Sequence, residues 1–166
     1  PAFAALVINP FGLTQWGNTT FADLDGDGDL DALVGNDDGN TIFFENTGTA
    51  AAAAFAAAQA GPFGLADVGY SASPALADID GDGDNDLLWG DFFEPGLLLI
   101  ENTGSCRNFN LHGTPVGWPA GAPIPTSGYN APAVGDLDGD SALDVLVGVL
   151  GGAFNPTTTA QDNLLH

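Results

Sequence analysis

Short apolar runs recur along the chain, each entered through a cluster of alternating acids. ALVG at residues 32–35, LLWG at 87–90 and VLVG at 145–148 are three such runs, with the composition of buried strands. A second apolar segment leads into each acidic cluster, around Phe21, Leu76 and Val134, and predicts a strand before it. TIFFEN at residues 41–46 and LLLIEN at 97–102 predict a third strand in two of the copies, each reached through a turn, DDGN or EPG. Phe3, Phe55 and Phe109 mark a common phase, and a fourth strand is expected around each.

The acidic clusters are copies of one another: DLDGDGDLD at residues 23–31, DIDGDGDND at 78–86 and DLDGDSALD at 136–144. They begin 55 and then 58 residues apart, so one period organises the chain. NPFGL at 9–13 returns as GPFGL at 61–65, and FFENTG at 43–48 returns as LIENTG at 99–104. Four short antiparallel strands per period is the arithmetic of a β-propeller blade. The expected fold is all-β, three propeller-type blades of about four strands each with the acidic loops between strands. The repeats are read as residues 1–52, 53–107 and a divergent, truncated 108–166.

Within each loop carboxylates fall at positions 1, 3, 5 and 9, an alternation that aims several hard oxygens at one centre. Calcium takes six to eight such oxygens. Position 7 is expected to contribute its main-chain carbonyl, which leaves its side chain free to vary, and it is Asp29, Asp84 and Ala142. Gly26, Gly81 and Gly139 at position 4, with Gly28 and Gly83 at position 6, suit the positive φ of a tight turn. Ser141 takes position 6 of the third loop, a change that costs about 1 kcal/mol if the residue is left-handed, so the third site is ranked weakest. Solvated acidic turns are the plainer alternative. Three loops in register argue against it, because crowded unpaired carboxylates repel unless a cation lies among them. An EF-hand is excluded: position 12, where it needs a bidentate Glu, is Val34, Trp89 or Val147.

FADLDGDGDLDALVG followed by FFENTG resembles the FG-GAP or VCBS repeat family of secreted and cell-surface proteins. The first two repeats match well, whereas the third keeps its loop but ends in GGAFNPTTTAQDNLLH in place of the ENTG strand. The resemblance implies blades with the metal in a hairpin loop between neighbouring strands. Carried over, the ligands are Asp23, Asp25, Asp27 and Asp31, then Asp78, Asp80, Asp82 and Asp86, then Asp136, Asp138, Asp140 and Asp144, with Asp29, Asp84 and Ala142 giving carbonyls. Three Ca2+ are implied. The family hosts adhesion receptors, lectins and appended modules, so its name alone fixes no activity.

The chain of 166 residues has a net charge of −21, and 14 of its 22 acids lie in the three loops. Arg107 is the one Lys or Arg, so nothing neutralises phosphates, and nucleic acid and anionic membranes are excluded as partners. No run of about 18 apolar residues predicts membrane insertion. Three blades are fewer than the four to eight that close a ring, and the sequence outside the loops is nearly uncharged, Gly-, Ala-, Thr- and Asn-rich. Other copies of the chain, in a ring or a filament, and glycans are the expected partners. NTT at residues 18–20 makes Asn18 a candidate N-glycosylation site, and NPTTT at 155–159 could carry O-linked sugar. Cys106 is the single cysteine, expected as a free thiol.

Catalysis is not expected. His112 and His166 lack Cys, Ser or carboxylate partners at motif spacing, and no GxSxG elbow or phosphate-binding glycine loop occurs. Trp16 and Trp118, set beside Gly and Pro, are candidate sugar-stacking platforms, while Trp89 is expected in the core. The sequence therefore points to a non-catalytic extracellular or cell-surface calcium-binding module with a structural or adhesive role, the repeating subunit of a glycosylated filament. A lectin-like propeller is the alternative.

Overall fold

A computed structural model describes residues 11–13, 17–65, 71–90, 92, 96–105, 109–121, 124, 126 and 129–149. The first four strands, β1 (Gly17–Ala22), β2 (Asp31–Asn36), β3 (Thr41–Phe44) and β4 (Gln59–Ala60), form one antiparallel sheet in chain order. A second sheet repeats the design with β5 (Ser73–Ala77), β6 (Asp86–Gly90), β7 (Leu97–Ile100) and β8 (Val116–Trp118). The third sheet is the hairpin of β9 (Asn130–Gly135) and β10 (Asp144–Val149). Among the described residues the only helical element is a 3-10 turn at Pro62–Gly64. The chain is all-β, built of open antiparallel sheets.

The register explains where the acidic loops sit. Ala22 faces Asp31, Ala77 faces Asp86 and Gly135 faces Asp144 across the three first hairpins, so each loop is the connection closing a hairpin. The strands on its two sides lie where the apolar pattern predicts. Asp37 to Asn40 make the expected turn between β2 and β3, with the Asn36 side chain accepting the Asp38 and Asn40 amides at 3.1 and 2.9 Å.

Packing between sheets makes the second strand of each one apolar without interruption. In β2, Leu33 belongs to a cluster with Trp89, Leu87, Ile100 and Leu65 of the second repeat, whereas Ala32 and Val34 pack on the other side with Phe44, Phe11 and Leu13. In β6, Leu88 turns to the third sheet and meets Val147. Alternate residues thus serve opposite neighbours, and a strand buried on both faces needs a continuous apolar run. The sheets adjoin through their first strands, β1 against β5 and β5 against β9. Glycine permits the approach: a Cβ at Gly35 would strike the Ala72 carbonyl, and one at Gly90 would strike that of Asn130. Ala72 and Asn130 each stand six residues before an acidic loop, so the two junctions repeat one contact.

One sequence expectation needs correction. The fourth strand does not lie at the marker phenylalanines: β4 and β8 begin after Phe55 and Phe109. Phe55 makes only an isolated bridge with Asn46, and Phe109 is buried in the core shared by the first two sheets. The first sheet runs to Ala60 and the second to Trp118, so the sheets are offset from the repeat phase. Trp118 lies in β8, half-buried against the cluster of Leu88, Leu97 and Val147. Phe3, Trp16, Cys106, His166 and residues 155–159 lie outside the described residues.

Candidate metal centres

The three loops are built by one hydrogen-bond lattice. The position-1 carboxylate of Asp23, Asp78 or Asp136 accepts the position-4 glycine amide at 2.7, 2.8 and 2.7 Å. Its other oxygen accepts the position-6 amide at 3.0, 3.1 and 3.0 Å. Asp25, Asp80 and Asp138 each accept the amide of position 5 at 3.1 Å. Asp27, Asp82 and Asp140 accept the position-7 amide at 3.0, 3.1 and 2.7 Å. Each bond fixes a side chain on the inside of the turn. The turn in exchange demands left-handed backbone at position 6, where φ is +97° at Gly28, +99° at Gly83 and +73° at Ser141. The sequence expectation for Ser141 is met: an L-residue stands where its two counterparts are glycine.

Position 9 ties each loop to its sheet. Oδ2 of Asp31 accepts the Leu24 amide at 2.9 Å, and Oδ1 accepts the Asn46 amide at 2.8 Å. Asp86 repeats both contacts with Ile79 and Asn102, at 2.9 and 2.8 Å. Asn46 and Asn102 are the asparagines of the two ENTG motifs. Each spends its side-chain oxygen on the turn that follows, Asn46 on the Gly48 and Ala54 amides and Asn102 on those of Gly104 and Asn110. The acidic loop, the third strand and the segment leading to the fourth are therefore joined through one buried carboxylate, 1% exposed in both repeats. Asp144 holds the Leu137 amide at 2.8 Å. The third repeat has no ENTG motif to complete the pair. Sequence reasoning found ENTG as a repeat marker but not as a clasp.

The carboxylates converge. Oxygens of Asp23, Asp25 and Asp27, of Asp78, Asp80 and Asp86, and of Asp136, Asp138 and Asp144 lie within 4.8 Å of one another in each set. Oxygens on opposite sides of a calcium ion are about 5 Å apart, twice the usual bond of about 2.4 Å. Asp82 and Asp140 join the same loops through their amide contacts to position 7.

Position 7 holds the feature the sequence did not disclose. Asp29 is 5% exposed and Asp84 9%, and Oδ1 of each is buried without a hydrogen-bond partner. Burial raises the pKa of Asp29, and the carboxylates of Asp27, Asp25 and Asp23 raise it further, against a lowering bond from Asn46. Burial likewise raises that of Asp84, followed by Asp82, Asp86, Asp80 and Asp78. The pKa values of Asp31 and Asp86 are also raised, first by burial, while the amides they hold pull the other way. Without a cation each of the first two loops is therefore a site of excess negative charge, and a hard dication is what such a donor set fits.

Residues 10–89 match the family model of the FG-GAP-like repeat. This stretch is similar to an FG-GAP-like repeat. It takes in the first sheet, the first two acidic loops and β6 as far as Trp89, while the third loop lies beyond the match and shares the hydrogen bonding of positions 1, 3 and 5. No curated protein matches the chain significantly. Asn18, the sequon residue, is exposed on β1, within the matched stretch. His112 follows the turn after Phe109 and is exposed; its amide bonds to Asn110.

Proposed function

We propose that this chain is a non-catalytic, extracellular structural module whose sheets act as propeller-type blades stapled by calcium, and that it is the repeating unit of a glycosylated surface filament. The observation that carries the reading is the position-9 clasp: the carboxylate that would face the ion also holds the amide of the third strand's ENTG asparagine, so an ion in the loop tightens the sheet itself. Fifteen residues would hold three ions, through the carboxylates at positions 1, 3, 5 and 9 and the carbonyls of Asp29, Asp84 and Ala142. The ions would neutralise carboxylates that otherwise repel. The chain's own part is to present these oxygens on a backbone already fixed by hydrogen bonds, which lowers the ordering needed when the ion arrives.

The reading as a structural unit also draws on the nearly uncharged sequence outside the loops and on the exposed Asn18. The lectin alternative would draw on Trp118, which is half-buried against Leu88, Leu97 and Val147. Thermal unfolding in millimolar calcium and in EDTA tests the proposal. Each site adds about 1.4 kcal/mol when free calcium is tenfold above Kd, so chelation should lower the melting temperature markedly. Equal melting temperatures in the two buffers would refute it.

A further inference from the structure

We propose that the outward face of the third sheet, centred on Leu137, Leu146 and Gly148, docks head to tail on the first repeat of a second copy of this chain, where Phe11, Leu13 and the Gly17 carbonyl receive it. The two junctions inside the chain show what this face is built for. Position 2 of the loop is Leu24, Ile79 and Leu137. Leu24 is 1% exposed because the second repeat, with Leu65 and Trp89, covers it; Leu137 is 69% exposed. Position 11 is Leu33, Leu88 and Leu146. The first two are fully buried against the next repeat, whereas Leu146 is only half-buried. Position 13 is glycine in all three repeats. At Gly35 and Gly90 the next repeat's carbonyl occupies the space a Cβ would need, yet at Gly148 the nearest atom is 3.6 Å away and belongs to the same hairpin. The third sheet thus carries the contact set of a junction with no counterpart docked on it among the described residues.

The counterpart stands at the other end of the chain. Gly17 precedes the first loop by six residues, as Ala72 and Asn130 precede theirs, and it is exposed. Phe11 and Leu13 come from NPFGL, matched to Phe63 and Leu65 of GPFGL. Phe11 meets Phe55 edge to face at 5.0 Å, as Phe63 meets Phe109 at 5.3 Å. Phe63 also reaches Phe43 of the preceding sheet at 5.0 Å, which is the kind of neighbour a docked copy would give Phe11. A contact between two different faces that does not close on itself propagates. The inference rests on the filament reading for that propagation and gives it a named interface.

Two variants and a cross-link test it on the full chain in millimolar calcium. Gly148→Ala meets nothing closer than 3.6 Å among the described residues, so it should fold and retain its calcium-raised melting temperature, yet fail to assemble because the added methyl strikes the second copy's Gly17 carbonyl. Leu137→Asp, at an exposed position, should weaken association at least about tenfold by placing a charge in an apolar contact. Sedimentation should show both variants near the monomer mass of 16.8 kDa while the wild type runs larger. Mixing a Leu137→Cys chain with a Leu13→Cys chain, both carrying Cys106→Ser, should give a covalent heterodimer on oxidation. A monomeric wild type, unaltered assembly of both variants, or a cross-link formed within one doubly substituted chain in place of between chains would overturn the interface. Loss of the calcium effect on melting would instead strike the stapled-module reading, so the two failures are distinguishable.

Discussion

Asp29 and Ser141 show how much a single position matters in these loops. Asp29 is a buried carboxylate with an unpartnered oxygen among three other acids, so replacing its charge with the isosteric amide removes repulsion that only a cation offsets. Asp29→Asn should raise the melting temperature in EDTA and raise it much less in calcium; a larger gain in calcium would contradict the origin assigned to the strain. Asp27→Ala, by contrast, should weaken calcium binding in calorimetry, because it deletes a proposed ligand that also holds the Asp29 amide at 3.0 Å. Ser141 sits at φ +73°, and Ser141→Gly should stabilise the third loop by about 1 kcal/mol, measured by denaturant unfolding. The repeat made the ligand positions and the Ser141 departure legible in the sequence. The burial of position 7 was not, since its variation to Ala142 reads as indifference until Asn46 and the neighbouring turn are seen to enclose it.

At the scale of the element, the glycines at position 13 and the apolar strands form the junctions. A Cβ at Gly90 would strike a backbone carbonyl, which cannot swing aside as a side chain can. Gly35→Ala and Gly90→Ala should each destabilise the fold by about 1–3 kcal/mol or more through overpacking, measured by denaturant unfolding, while Gly148→Ala leaves the isolated chain close to wild type. Trp89 is 1% exposed and central to the core between the first two sheets; Trp89→Ala should cost about 3–5 kcal/mol. Strands β1, β2, β3, β5, β6, β7, β9 and β10 were legible because alternating or continuous apolar residues mark them. The fourth strands escaped: Gln59–Ala60 is exposed and Val116–Trp118 follows Pro115, so neither carries an apolar pattern, and both are set by pairing to the edge of the third strand. The half-burial of Trp118 was hidden for the same reason, as its packing contacts come from residues distant in sequence.

At the scale of the whole molecule, the four carboxylates with raised pKa values couple stability to pH, and the sign depends on calcium. Asp29, Asp31, Asp84 and Asp86 titrate above the ordinary 3.8 in the folded chain. Between 3.8 and the folded value, the folded chain therefore holds more protons than the unfolded one, and stability must fall as pH rises through that window. In EDTA the chain should accordingly melt at a higher temperature near about pH 4 than near about pH 7, with the net charge of −21 pressing in the same direction through self-repulsion. Calcium reverses the slope. Its ligands must be ionised, so protons compete with the ion, and binding contributes more as pH rises. Melting curves taken across this range in EDTA and in millimolar calcium should converge in acid, where calcium is least effective, and separate as pH rises. Parallel curves would mean that the buried carboxylates are not what the ion neutralises, and the loops would then be acidic turns without the stapling role.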